Sequence, residues 1–188
     1  MPSTRKAWRV LLTAACVGYP LLVYFASPLM PPRLLLVPAL ALISMRAFGA
    51  ADFSGNWAAA TLLLAGVVLL ILGMLVPYAA VRAYPVVMSL AAASVFGLSL
   101  VRGPSLVERL ARRTTFDLPF EAVRYTWRVT LVWCIFLTAN AAIAAVTALC
   151  GTLKQWTLWN GLLFYLAAGL LFSGEYVVRW YLTSRSAQ

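Results

Sequence analysis

The residues able to do chemistry are few, and their types exclude most of it. The chain carries five acids (Asp52, Glu108, Asp117, Glu121 and Glu175), 15 lysines and arginines, three cysteines and no histidine. General acid–base catalysis draws most often on histidine or on a carboxylate tuned by its neighbours. Here there is no histidine and no pair of acids inside the apolar runs, no GxSxG elbow and no phosphate-binding glycine loop. Cys16, Cys134 and Cys150 lie in or beside apolar runs without a CxxC spacing. In the absence of histidine they read as small buried hydrophobes rather than zinc or haem ligands. No metal and no cofactor is expected.

Two polar residues sit at unusual depth. Glu175 lies inside the last apolar run, a few residues from its end. An ionisable group there is costly, so a functional role is the starting hypothesis. Arg179 follows four residues later on the same helix face, in the favourable acid-first order. The pair can form an interfacial salt bridge, can contact a lipid head group or partner with Arg179 as the phosphate ligand, or can couple to a proton. Asn140 falls in the middle of the fifth apolar run. A buried asparagine ties neighbouring membrane helices together by hydrogen bonds, or lines a cavity for the polar part of a ligand.

The third feature is the longest polar interval, residues 102–128, and within it SLVERLARRTTFDLP. At 100° per residue, Leu106, Val107, Leu110, Ala111 and Thr114 share one arc. Glu108, Arg109, Arg112 and Arg113 share the opposite one. A short helix with a greasy face and a cationic face lies flat in a membrane surface, its arginines among anionic head groups. The plain alternative is a solvated connecting helix.

The elements that must position these residues are membrane helices. The chain of 188 residues is 63% hydrophobic and 11% charged, with mean hydropathy +0.89. Soluble domains carry about 25% charged residues, so the bilayer must act as solvent here. The apolar runs predict an all-α integral membrane protein, a bundle of six transmembrane helices with a short amphipathic interfacial helix in the fourth loop. The expected spans are 10–30, 34–49, 57–76, 84–101, 129–150 and 156–178, forming a single membrane domain. The first is a retained span kinked at Pro20 rather than a cleaved signal. The second is short, and Arg46 near its end can snorkel to the interface, the alternative being a re-entrant segment. Ala91, Ala92, Ala93, Ser94 and Gly97 let a neighbouring helix approach the fourth closely. Trp156 and Trp159, then Trp180 and Tyr181, are placed as aromatic belts at the two ends of the sixth.

With six spans, twelve of the 15 basic residues fall on one side, six of them in the interval 102–128. The other side holds Arg33, Arg82 and Lys154. Positive-inside bias therefore puts both termini and the polar interval in the cytoplasm. The net charge of +10 is a topology signal at the ends of apolar runs, not a nucleic-acid stripe. The expected partners are anionic lipid head groups and other inner-membrane proteins. The sequence is silent on oligomeric state.

From Tyr84 onward the chain resembles the bacterial inner-membrane septation protein A family. The likeness is carried by VRGPSLVERLARRTTFDLP with its Leu118–Pro119 step, by RVTLVWCIFLTANAAIA with Ala139 and Asn140, and by SGEYVVRW at the end of the last span. In the first half, YPLLVYFA at residues 19–26 is similar. Small membrane proteins encoded with aryl-polyene pigment biosynthesis form a related group. The resemblance implies a multi-pass protein of the bacterial inner membrane with a non-enzymatic role in envelope maintenance or division. Glu175 is a departure from the family's pattern.

Three functions follow as expectations. The first is a scaffold that holds partners or anionic lipid through Arg109, Arg112 and Arg113. The second is a carrier or accessory for an amphiphilic product such as an aryl-polyene lipid, with a site near Asn140 and Glu175. The third is a lipid-modifying enzyme using Asp117 or Glu121 at the surface.

Overall fold

A computed structural model describes residues 18–54, 56–113 and 118–185, with side chains outside 46–56 and 180–185. In chain order the helices are α1 (18–26), α2 (Pro32–Ser54), α3 (Asn56–Leu75), α4 (Pro77–Arg102), α5 (Leu106–Ala111), α6 (Phe120–Leu149), α7 (Leu153–Leu158) and α8 (Phe164–Arg185). A π-helical turn, Trp159–Leu163, joins the last two. No strand occurs among the described residues. Helices satisfy every backbone group within one segment, which is what a hydrocarbon solvent demands.

Four stretches are long and apolar enough to cross a membrane: Trp57–Leu75, Pro77–Arg102, Phe120–Leu149 and Leu153–Arg179. The apolar part of α2, Pro32–Met45, is shorter. The expected first span extends to residue 10, and its portion before residue 18 lies outside the described residues. So do the basic amino tail, Thr114, Asp117 and, as side chains, Arg46, Asp52, Trp180 and Tyr181.

Two helix boundaries differ from the sequence expectation near charged residues, while the end of α4 at Arg102 agrees with it. Arg82 was expected between two spans, yet α4 starts at Pro77 and runs through it. Proline is well placed at the first helical position, where its missing N–H would be unsatisfied anyway. One non-helical residue, Val76, separates α3 from α4. Likewise α6 begins at Phe120 rather than Val129, so the last third of the polar interval is helical. Pro38 and Pro85 sit inside α2 and α4, as membrane helices tolerate.

Neighbouring helices alternate in direction. Gly66 of α3 approaches Ile43 and Gly73 approaches Leu36, so α2 and α3 run antiparallel. The most extensive interface joins α4 to α6. It uses part of the small-residue set singled out above: Ala93 and Gly97 meet Cys134, whose sulfur would stand 3.3 Å from a Cβ on Gly97, and Ala91 is buried, whereas Ser94 is exposed. Two ends result. The basic end gathers the C-terminus of α4, α5, the start of α6 and the far part of α8, where the Tyr125 hydroxyl donates to the Glu175 carbonyl at 3.4 Å. The opposite end gathers the α3–α4 step and the α6–α7 turn, and holds Arg33, Arg82 and Lys154. The main apolar core sits toward this second end, where Tyr19, Leu35, Leu69, Tyr84 and Trp156 meet.

Candidate functional site

The connector at the basic end is docked, not free. The first N–H groups of a helix lack intrahelical partners, and in α5 three hydroxyls supply them. Leu106 N–H donates to Ser99 Oγ at 3.0 Å, Val107 N–H to Thr130 Oγ1 at 3.3 Å and Glu108 N–H to Ser105 Oγ at 3.4 Å. Ser99, Thr130 and Ser105 are all buried. Serine is a favoured N-cap residue. The caps contributed by α4 and α6 were not legible in the sequence, since they lie seven and 23 residues from the groups they satisfy.

This docking corrects one residue in the amphipathic picture of α5. Glu108, expected on the outer arc with the arginines, is 6% exposed, while Leu110 of the apolar arc is 54% exposed. Three hydrogen bonds from the first turn to hydroxyls orient the helix with Glu108 inward. The arginines are drawn in as well. Arg112 pairs with Glu108 at 2.8 Å. Arg109 donates to the carbonyls of Pro104 at 2.9 Å and Gly103 at 3.1 Å, and its guanidinium lies 5.6 Å from the ring centroid of Trp57. Arg113 is exposed next to them. The three therefore do not form a simple open cationic face.

Asn140 anchors a buried polar step between three segments. Its Nδ2 donates to Ser89 Oγ on α4 at 2.8 Å, and its Oδ1 accepts from Trp159 Nε1 at 3.0 Å. Trp159 opens the π turn. Asn160 is 97% buried, as its 3% exposure shows, and its Nδ2 donates to the Trp156 carbonyl at 2.9 Å. Asn160 Oδ1 and Thr157 Oγ1 are buried without a hydrogen-bond partner. Single π turns inside α-helices occur frequently at functional sites, and an unmatched acceptor in an apolar interior is costly.

Asn140 and Glu175 are not brought together. Glu175 faces Tyr125, which lies 15 residues before Asn140 on α6, or about 22 Å along the axis. A single site holding both is excluded by that length. Glu175 and Arg179 instead belong to the basic end.

Arg82, which the sequence reading treated as a boundary marker, is a structural anchor. Its Nη2 donates to the Thr147 carbonyl at 2.8 Å and to the Gly151 carbonyl, closing the C-terminus of α6. Its own carbonyl accepts from Trp156 Nε1 at 3.0 Å. Trp156 is fully buried, so it does not serve in the aromatic belt expected at that end, and Trp159 is half-buried. Both indoles spend their N–H inside the bundle. An isolated arginine amid apolar residues was the available signal, because a cation at membrane depth needs carbonyl or acid partners.

Among the described residues no group of three or more histidine, cysteine or acidic side chains could hold a metal. Cys134 Sγ contacts the Ala93 carbonyl at 3.4 Å, and Cys150 is exposed at the end of α6. No family model, curated protein or solved structure matches the chain.

Proposed function

We propose that the chain is a six-pass protein of the bacterial inner membrane, with both termini and the basic end in the cytoplasm. It acts as a non-enzymatic scaffold in cell-envelope maintenance or division. The observation that carries the location is the difference between the two ends. Arg102, Arg109, Arg112, Arg113, Arg124, Arg128 and Arg179 gather at one, and Arg33, Arg82 and Lys154 at the other. Positive-inside bias orients such a bundle, and an anionic inner leaflet is a natural partner for the richer end. The α5 segment, held at that end, would lie along the interface with Leu110 toward the lipid. The envelope role rests on the resemblance of the second half of the chain to the septation protein A family.

A carrier for an amphiphilic product is the second reading, favoured by the unpartnered Asn160 and Thr157 oxygens beside the Asn140 step.

Cysteine accessibility tests the first reading. In a Cys16→Ser, Cys134→Ser background, native Cys150 should react with a membrane-impermeant maleimide in intact spheroplasts. Arg113→Cys in a further Cys150→Ser background should react only after permeabilisation. In the same strains, loss of the gene should increase envelope permeability or cell length. Labelling of position 113 from outside overturns the orientation, and an unaltered envelope in the null strain overturns the role.

A further inference from the structure

The arginines of α5 are engaged by their own connector, whereas two on α6 are not. Arg124 and Arg128 are exposed, and neither has an ion-pair partner among the described residues. One helical turn apart, their Cβ atoms stand about 5–6 Å from each other. That spacing suits two guanidinium groups closing on one phosphodiester. The acid nearest in sequence, Glu121, makes no ion pair with either one. It lies a further turn toward the helix start.

What lies beyond the two arginines identifies the ligand. At 100° per residue, Arg124, Arg128, Ile135, Ala142, Val146 and Leu149 fall within an arc of about 60°. That arc is opposite the face that α6 buries through Thr130, Leu137, Asn140 and Ala144. It is open along its length: Ile135 is 60%, Val146 62% and Leu149 84% exposed. From Arg128 to Leu149 the helix rises about 32 Å, the thickness of a hydrocarbon core. The 30 residues of α6 rise about 45 Å, so its first turns reach into the head-group layer. Trp127, 43% exposed, flanks the arginines, and Phe120, 81% exposed, precedes them. Aromatic side chains favour that same layer.

We propose that the arginine end of the outward stripe of α6 is a binding site for one anionic phospholipid, its phosphate held between Arg124 and Arg128 and its acyl chains along Ile135 and the turn that follows, within one leaflet's half of the hydrocarbon core. A water-soluble anion would have no use for the apolar stripe, and a neutral lipid none for the two unpartnered charges. The site deepens the membrane reading given above and rests on it for the location of α6 in a bilayer. It does not depend on which leaflet the basic end faces.

The test is made on the full-length protein in detergent micelles doped with phosphatidylglycerol or phosphatidylcholine, with retained lipids counted by native mass spectrometry. The wild type should keep one phosphatidylglycerol under activation that strips phosphatidylcholine. Arg124→Gln with Arg128→Gln should weaken that retention about tenfold to thirtyfold. Arg109→Gln with Arg112→Gln should change it less than about twofold. The wild type and the Arg124/Arg128 variant should melt within a few degrees of one another, which separates lost lipid from lost fold. Equal retention of the two lipids by the wild type overturns the site. So does undiminished retention by the Arg124/Arg128 variant, or an equal loss in the Arg109/Arg112 variant, which would indicate diffuse charge. Retention as expected together with external labelling of position 113 would overturn the proposed orientation and leave the lipid site standing.

Discussion

The two ends of the bundle use arginine in opposite ways. At the α3–α4 end a single guanidinium, Arg82, turns inward and closes the C-terminus of α6 on the Thr147 and Gly151 carbonyls. At the basic end many guanidiniums crowd together, and the inward work is done by neutral hydroxyls of Ser99, Thr130 and Ser105. The difference follows from which helix terminus needs a partner. A C-terminus presents carbonyls and a negative dipole end, which a cation satisfies. The start of α5 presents N–H groups, which need acceptors, so arginine is useless there and is left to its own loop, to Glu108, or to the outer face of α6.

Breaking the inward arginine should produce the larger effect. Arg82→Gln removes charge-assisted bonds to two carbonyls and loosens the strand of contacts running to Trp156. A loss of about 2–4 kcal/mol is expected, read as a lower midpoint in denaturation from detergent micelles. A variant as stable as the wild type would show that the α6–α7 turn closes without it, and the contrast between ends would collapse.

The polar step in the middle of the bundle should respond less. Asn140→Ala removes the bonds to Ser89 and Trp159 and leaves the indole N–H without its acceptor. The expected cost is about 1–2 kcal/mol, with a shift in tryptophan emission as Trp159 loses its partner. If the variant keeps full stability but abolishes movement of an amphiphilic product, the carrier reading displaces the scaffold.

The hydroxyl clasp should give the smallest change in global stability and the largest local one. Thr130→Val leaves the Val107 N–H unsatisfied, for about 1 kcal/mol or less in the whole fold. Cleavage by trypsin at Arg112 and Arg113 should nevertheless quicken several-fold as α5 undocks, since local opening is governed by local contacts. Unchanged cleavage would mean that the Ser99 and Ser105 caps hold the connector alone.

Much of this was legible in the residues. Length and hydropathy of the apolar runs were enough to place α3, α4, α6 and α8, because a bilayer rewards any uninterrupted apolar helix of sufficient length. The small residues of α4 announced its close approach to α6, and Asn140 announced a hydrogen bond at depth. The same signals misplaced the boundaries near Arg82 and Phe120, since a charge ends a span only when it has nowhere nearer than water to go.

Composition and the order of apolar runs thus determined the class of protein, its solvent and the crowding of positive charge at one end. Those are one-dimensional properties, set by summed transfer energies that do not depend on which neighbour a side chain meets. Tertiary structure alone decided which arginines are occupied. Arg82 found carbonyls 65 and 69 residues away, Arg109 and Arg112 found the connector, and Arg124 and Arg128 stayed open on the outer face of α6. A guanidinium's role is set by the acceptors within about 3 Å of it, and only folding brings such distant groups that close.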